Sequence, residues 1–169
     1  TPQRYLLNLQ SKMMDLIITP GDFGQSYDKG PTVGRSDSTL VKPISIYNRK
    51  TSLDKVAARS LLGLDQTRPA VLVQLGIGEA DLNAKMTAAL KGLIGWKDLQ
   101  VVLTKKPIDA NGNSLVPEGL EIKQVRYFPL AKVLHAFDAA ICATGYNGVH
   151  ELLPALVPSV FVSNIRGTD

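Results

Sequence analysis

The stretch from Ala139 to Leu153 restricts the fold more than any other part of this 169-residue chain. Ala139 to Ala143 is a short apolar run bounded by turn residues, the pattern of a buried strand. It opens into a turn containing Gly145 and Gly148, and an amphipathic stretch ending near Leu156 follows at once. A strand that feeds a glycine turn and then a helix leaves the first helical N–H groups without intrahelical partners. Those donors, added to the positive end of the helix dipole, favour a phosphate. The spacing predicts Glu151 in the first turn of that helix, where a carboxylate meets sugar hydroxyls beside a phosphate. Gly145 or Asn147 would cap the helix. The same glycine spacing also ends strands that bind nothing, so the turn alone leaves both readings open.

From about residue 53 onward, strand-like and helix-like patterns alternate. Ser52 is the expected cap of a helix through Leu62, stopped by Gly63. Pro69 precedes a strand from Ala70 to Leu75. Asp81 to Ile94 shows helical spacing, with Leu82, Met86, Ala89, Leu90 and Leu93 on one face. Further strands are expected at Leu99–Thr104, Ile122–Val125 and Ser159–Ser163, with a short helix at Ala131–Phe137. Short apolar, β-branched runs alternating with helices predict an α/β domain with a mainly parallel sheet covered on both faces.

The first ~50 residues differ. Leu16-Ile17-Ile18 is the apolar end of a helix-to-strand passage closed by Thr19-Pro20-Gly21, and Asp22–Thr39 is rich in Gly, Ser and Asp without periodicity. So long a structureless loop is uncommon inside a compact domain and serves a function or a connection. Leu40–Ile46 contains Pro43, which forbids a helix there, and reads as an extended crossing segment.

Composition removes several classes of function. With 44% hydrophobic and 20% charged residues, the chain can build a sizeable core. The net charge of +4 is spread over scattered residues, without the basic stripe and interleaved aromatics of a nucleic-acid binder. One cysteine, Cys142, excludes an intrachain disulfide, and with only His135 and His150 there is no metal-ligand spacing. No apolar stretch reaches the ~18 residues needed to span a bilayer.

Two more loops could carry chemistry. Gly76-Ile77-Gly78 follows a strand and invites the dinucleotide fingerprint. Asp81 stands where the third glycine belongs, however, and Lys105-Lys106 where an acidic residue is expected, which disfavours a nicotinamide or flavin cofactor. What survives is a turn whose glycines let another molecule, or only the chain itself, approach the backbone closely. Val125-Arg126-Tyr127-Phe128-Pro129-Leu130 lies at the carboxyl end of a strand, where ligands of open parallel sheets bind. Tyr127 and Phe128 could hold a flat base edge-on, or simply lid the core.

With these loops in order, the chain resembles the C-terminal domain of MurG-like glycosyltransferases of family 28, which have the GT-B architecture. The resemblance runs from about Pro69 to Asp169. It is carried most specifically by Phe137-Asp138-Ala139-Ala140-Ile141-Cys142-Ala143-Thr144-Gly145-Tyr146-Asn147-Gly148-Val149-His150-Glu151-Leu152, followed by Val157-Pro158-Ser159-Val160-Phe161-Val162. The resemblance implies a Rossmann-like three-layer domain, one half of a two-domain enzyme. Residues 1–45 would be the tail of an N-terminal domain plus the inter-domain linker. Residues 46–169 would be the nucleotide-sugar-binding domain, cut before its closing helix.

Carried over to this chain, the resemblance implies that the backbone of Gly145, Tyr146, Asn147, Gly148 and Val149 meets the donor diphosphate. Glu151 would hold the ribose hydroxyls through charge-assisted hydrogen bonds. Tyr127 and Phe128 would border the base, mostly through main-chain groups. Gly76 and Gly78 would lie near the phosphate–sugar junction and the acceptor side. Asp169 would be the acidic half of an acidic–glutamine pair that touches the donor sugar. The implied donor is UDP-N-acetylglucosamine or a similar UDP-hexose, for inverting transfer to a hydroxyl of a glycan or lipid-linked acceptor. The implied catalytic base lies in an N-terminal domain, so residues 1–169 alone are expected to bind donor without turnover. No cofactor or metal is implied, and no nucleic-acid partner. The implied location is cytoplasmic, with peripheral contact at the inner membrane face through the N-terminal domain, and an open sheet edge would favour self-association. Two alternatives stay open: a nucleotide-sugar epimerase or hydrolase of the same architecture, and a binding domain without chemistry.

Overall fold

Asp54 caps the first helix of the main folded unit. Its side chain accepts a hydrogen bond from the Ala57 N–H at 2.8 Å, which satisfies one of the open donors at the start of helix α1, Lys55–Leu62. Ser52, the expected cap, instead donates from its hydroxyl to the Asn48 carbonyl at 2.9 Å, because it lies two residues before the N-cap position and within a tight turn. Gly63 closes α1 in the left-handed conformation with φ 62°, as its position after the last periodic residue predicts.

The computed structural model describes residues 14–29, 36–75, 82–104, 114 and 116–163. Two compact units divide between Ser45 and Ile46. In the first, strand β1 (Ile18–Pro20) pairs in parallel with β2 (Thr39–Val41), and Thr19 Oγ1 donates to Ser38 Oγ at 2.9 Å. The strand thus falls two residues later than the apolar Leu16-Ile17-Ile18 suggests and includes Pro20, which a two-stranded pair with open edges tolerates. The Gly/Ser/Asp-rich crossing between the strands holds a single described turn of 3-10 helix, Gln25–Tyr27.

In the second unit, Ile46–Ser163, five parallel strands form one sheet: β3 (Ala70–Gln74), β4 (Gln100–Leu103), β5 (Ile122–Gln124), β6 (Ala139–Ala143) and β7 (Ser159–Val162). Their spatial order is β5-β4-β3-β6-β7. Counted within this sheet it is 3-2-1-4-5, the order of Rossmann-type nucleotide-binding domains. Helix α2 (Leu82–Lys91) and helix α3 (Tyr146–Leu152) complete the unit, with a 3-10 helix at Leu130–Ala136 in place of the expected short α-helix.

Alternation along the strands builds two cores. Leu72, Val102, Ala140 and Cys142 face one side, where they meet Ala58 and Leu62 of α1, Val133 and Leu134 of the 3-10 helix, and Leu152 of α3. Val73, Val101 and Leu103 face the other, against Met86 and Leu90 of α2. Both faces of the sheet are therefore covered, as expected for parallel strands.

The first core is fastened by charge as well as by apolar packing. Arg59 lies on the buried side of α1 with 1% of its surface exposed. Its guanidinium donates to the Asp138 carboxylate at 2.6 Å and to the carbonyls of Ala136, Asp65 and Gln66. Asp138 also accepts from Lys55 at 2.6 Å and from the Ala70 N–H at 2.8 Å. One carboxylate at the amino end of β6 thus joins α1, β3 and β6.

Candidate functional site at the carboxyl ends of the strands

In a sheet of this order, successive connections leave on opposite faces where the strand order reverses, and a crevice opens beyond the carboxyl ends of the two central strands. Here those strands are β3 and β6, paired from Val71 with Ala139 to Gln74 with Cys142. The turn after β6 is therefore the described wall of the crevice. Gly76 and Gly78, which follow β3 in sequence, lie outside the described residues, as does Asp169.

The turn after β6 is built from the backbone. The Thr144 N–H donates to Val162 O at 2.9 Å, tying the turn to β7, and the Gly145 N–H folds back on Ala143 O at 2.8 Å. Gly145 takes the N-cap position with φ −116° and ψ 149°, and no side chain caps the helix. Asn147, the other expected cap, is the second helical residue. The first intrahelical bond runs from Val149 N to Gly145 O at 3.1 Å. Among the described residues, the N–H groups of Asn147 and Gly148 have no hydrogen-bond partner. A Cβ added at Gly145 would meet nothing within 4 Å.

Gly148 has a second duty. A Cβ there would stand 3.0 Å from Cys142 Sγ, so its absence lets α3 settle onto β6. Burial accordingly pushes the Cys142 thiol up to about 11, which marks it as packing and not as a nucleophile. Two effects compete in Gly148→Ala: about 1 kcal/mol gained from helix propensity and about 1–3 kcal/mol lost to overpacking. The substitution is expected to destabilise the wild-type chain and to stabilise a Cys142→Ala background, as urea titration of the four proteins would read.

Glu151 does not fall in the first turn as the spacing predicts. With the helix starting at Tyr146, it is the sixth helical residue and belongs to the second turn. It is half-buried, and this burial raises its pKa above the usual carboxylate range. Among the described residues, no group hydrogen-bonds to its carboxylate. Asn147 and Glu151 are four residues apart and share a helix face, one turn of about 5.4 Å between them. This face therefore offers donors without acceptors at one level and an acceptor without donors at the next. On another face of α3, Tyr146 stacks on His150 with ring centroids 4.0 Å apart, and His150 Nδ1 bonds the Tyr146 carbonyl at 2.7 Å.

The aromatic pair separates. Tyr127 is half-buried against the first core, fulfilling the lid role, whereas Phe128 is 87% exposed. Both sit in the loop leading from β5 into the 3-10 helix, at the same end of the sheet as the glycine turn. The opposite end holds a depression lined by Arg68, Gln100, Glu121 and Lys123. Its polar groups bond one another or the local backbone: Arg68 with Glu121 at 2.5 Å, Gln100 with the Asp65 N–H at 2.8 Å, and Lys123 with the Gly63 carbonyl. Those groups are satisfied, and the unsatisfied ones lie at the carboxyl end.

Sequence reasoning missed the Arg59–Asp138 network and a contact between Tyr47 and His135. An arginine interrupting the apolar Ala58–Leu62 face was the available signal for the first. Among the described residues, no cluster of three or more His, Cys, Asp or Glu is arranged to hold a metal, and no helix is long and apolar enough to cross a membrane.

Sheet order and helices on both faces together define a Rossmann-like α/β domain. Comparison with known proteins narrows the class to the fold of GT-B glycosyltransferases. The crystal structure of the glycosyltransferase SnogD from Streptomyces nogalater matches with a TM-score of 0.52 at 17% identity, covering 91% of this chain and 39% of that one. CalG4, the calicheamicin glycosyltransferase, matches with a TM-score of 0.47 at 18% identity, covering 90% of this chain and 37% of its own. In sequence, the chain is 36% identical over 111 residues to a UDP-N-acetylglucosamine–N-acetylmuramyl-(pentapeptide) pyrophosphoryl-undecaprenol N-acetylglucosamine transferase from Paenarthrobacter aurescens (strain TC1). That match covers 63% of this chain and 29% of the relative, so the chain spans under a third of the relative's length. The resemblance to MurG-like enzymes is thus a measured similarity. No family model matches the chain.

Proposed function

We propose that this chain is the donor-binding part of a glycosyltransferase and that it binds a nucleoside diphosphate sugar, with UDP-N-acetylglucosamine or a similar UDP-hexose as the donor. One observation carries the reading: among the described residues, the unpartnered N–H groups of Asn147 and Gly148 stand one helical turn from the unpartnered Glu151 carboxylate, beyond the carboxyl end of β6 where it lies beside β3. A ligand that satisfies both levels must present anionic oxygens and, about 5 Å away, hydroxyl donors. A diphosphate joined to ribose has that chemistry. The similarity to a UDP-N-acetylglucosamine-using transferase supports uridine as the base.

The reaction in the whole protein is a displacement at the anomeric carbon. An acceptor oxygen forms the new glycosidic bond as the bond to the diphosphate breaks, with inversion, and the acceptor proton passes to a base supplied by another domain. This chain's contribution is to the leaving group. The helix-terminus donors meet charge that grows on the diphosphate as the bond breaks, which lowers the barrier more than it tightens ground-state binding. Glu151 supplies orientation by holding the ribose.

Calorimetric titration with UDP, UDP-N-acetylglucosamine and ADP tests this. The expected result is binding of both uridine ligands more tightly than ADP. Heat absent for all three in the folded chain, or indifference to the base, would remove the reading.

A further inference from the structure

We propose that Tyr47 and His135 are positioning residues for the Val125–Pro129 loop, and so set how well this domain tells one nucleotide base from another. The proposal rests on the reading above that this loop borders the base. The Tyr47 hydroxyl lies 3.1 Å from His135 Nε2, and the two rings meet edge to face with centroids 5.9 Å apart. The contact is reinforced along the segment that follows Tyr47. The Leu53 N–H donates to Lys132 O at 2.9 Å, and Ser52 Oγ, whose proton goes mainly to the Asn48 carbonyl, lies 3.4 Å from Ala131 O. That segment is itself a stiff turn. The Asn48 carbonyl accepts from the N–H groups of Thr51 at 3.0 Å and Ser52 at 2.9 Å, while Asn48 Oδ1 accepts from the Lys50 N–H at 2.9 Å. Asp54 then caps α1, which packs on the same 3-10 helix.

The 3-10 helix Leu130–Ala136 is therefore gripped at Ala131, Lys132 and His135 by residues from the start of the unit. It begins directly after the loop, and Pro129 O accepts from Lys132 N at 3.2 Å. At its other end the loop is tied to the sheet by Val125 N donating to Leu103 O at 2.9 Å. With Phe128 in solvent and Tyr127 turned to the core, the exposed Arg126 and the loop's main-chain N–H and C=O groups are what can hydrogen-bond a base. Those groups discriminate only if the loop is held within about 0.5 Å of the required place. The Tyr47–His135 clasp supplies that hold. Its hydrogen bond and ring contact join the turn before α1 to the 3-10 helix, whereas the diphosphate donors are backbone amides of α3, which pyrophosphate reads separately.

Tyr47→Phe keeps the packing and removes the hydrogen bond, and His135→Gln serves as a second variant. Calorimetry on the whole chain would use UDP, ADP and inorganic pyrophosphate, with amide hydrogen exchange read in the ligand-free proteins. Losing one hydrogen bond of about 1 kcal/mol predicts a roughly fivefold weaker affinity for UDP and an equal fall in the UDP-over-ADP preference. Pyrophosphate affinity should hold within about twofold, and exchange between Val125 and Lys132 should accelerate. Equal weakening of UDP and pyrophosphate would make the clasp merely structural and overturn the proposal, as would unchanged discrimination in both variants. If the wild-type chain binds no UDP, the functional reading fails first. Faster exchange in the variants would then mark a clasp without a role in base recognition.

Discussion

Asp138→Ala is expected to lower the stability of the Ile46–Ser163 unit by about 3 kcal/mol, because it leaves a buried cation without its anion. Arg59 is 1% exposed and keeps only carbonyl partners once the carboxylate is gone, while Lys55 and the Ala70 N–H lose theirs as well. For a unit of this size the loss corresponds to about 10 °C in melting temperature. Burial raises the Asp138 pKa, but the Lys55 ammonium, the Ala70 N–H and Arg59 outweigh it, so the net value lies below the usual 3.8. A depressed carboxylate stabilises the folded state above its unfolded pKa, and that contribution is lost as the pH falls through the folded value. Wild type and variant should therefore differ fully at neutral pH and converge only below about pH 4. Adding Arg59→Met removes the stranded charge, and the double variant should recover a good part of the loss. Thermal melts of the four proteins across pH would show this. Additive effects of the two substitutions would contradict it.

Glu151→Gln has the opposite effect on stability and a larger one on binding. Burial, without any partner to offset it, raises the Glu151 pKa above 4.5. The folded protein then holds this proton more tightly than the unfolded chain does. The resulting stabilisation is present below the unfolded value and disappears as the pH rises through the folded one. At neutral pH the ionised carboxylate is a burden on the fold, and the neutral amide removes it. The variant should melt a few degrees higher at pH 7, with the difference closing below about pH 4. Its affinity for UDP should fall by about 30-fold, the worth of charge-assisted hydrogen bonds to the ribose. For the wild type, UDP affinity should decline in mildly acidic solution, above the pH at which an ordinary glutamate titrates. A residue that weakens the fold while strengthening ligand binding is kept for the ligand. Loss of stability together with loss of binding in the variant would instead make Glu151 structural.

The parts of this architecture legible in the sequence are those set by local pattern. The β6 strand runs from Ala139 to Ala143, as the apolar run between Asp138 and Thr144 predicts, and β3 and β7 each end one residue earlier than expected. Gly63 closes α1 with a positive φ, where its freedom from a Cβ matters, and Gly145 takes the N-cap position of α3. Local pattern does not resolve which of several polar residues caps a helix: Ser52 and Asp54 both precede α1, and the choice fell to Asp54 because Asn48 engages Ser52. The turn to which Glu151 belongs was misjudged for a related reason, since a glycine N-cap without a side-chain bond starts α3 at Tyr146. Long-range pairings lay beyond reach. Arg59 with Asp138 and Tyr47 with His135 join residues 79 and 88 positions apart, and no local pattern names the partner in either pair. Strand order is likewise a property of the whole sheet, and only with β3 beside β6 does the glycine turn stand at the mouth of a crevice.

The central claim is that the two unpartnered amides of α3 receive a nucleoside diphosphate while Glu151 takes its ribose. Amide NMR of the chain titrated with UDP reads those groups directly. The account predicts that the largest shift changes fall on Asn147 and Gly148, move downfield as their N–H groups acquire an anionic acceptor, and persist with inorganic pyrophosphate. UDP binding that leaves both amides unmoved, or that shifts Arg68 and Lys123 at the other end of the sheet instead, would contradict it.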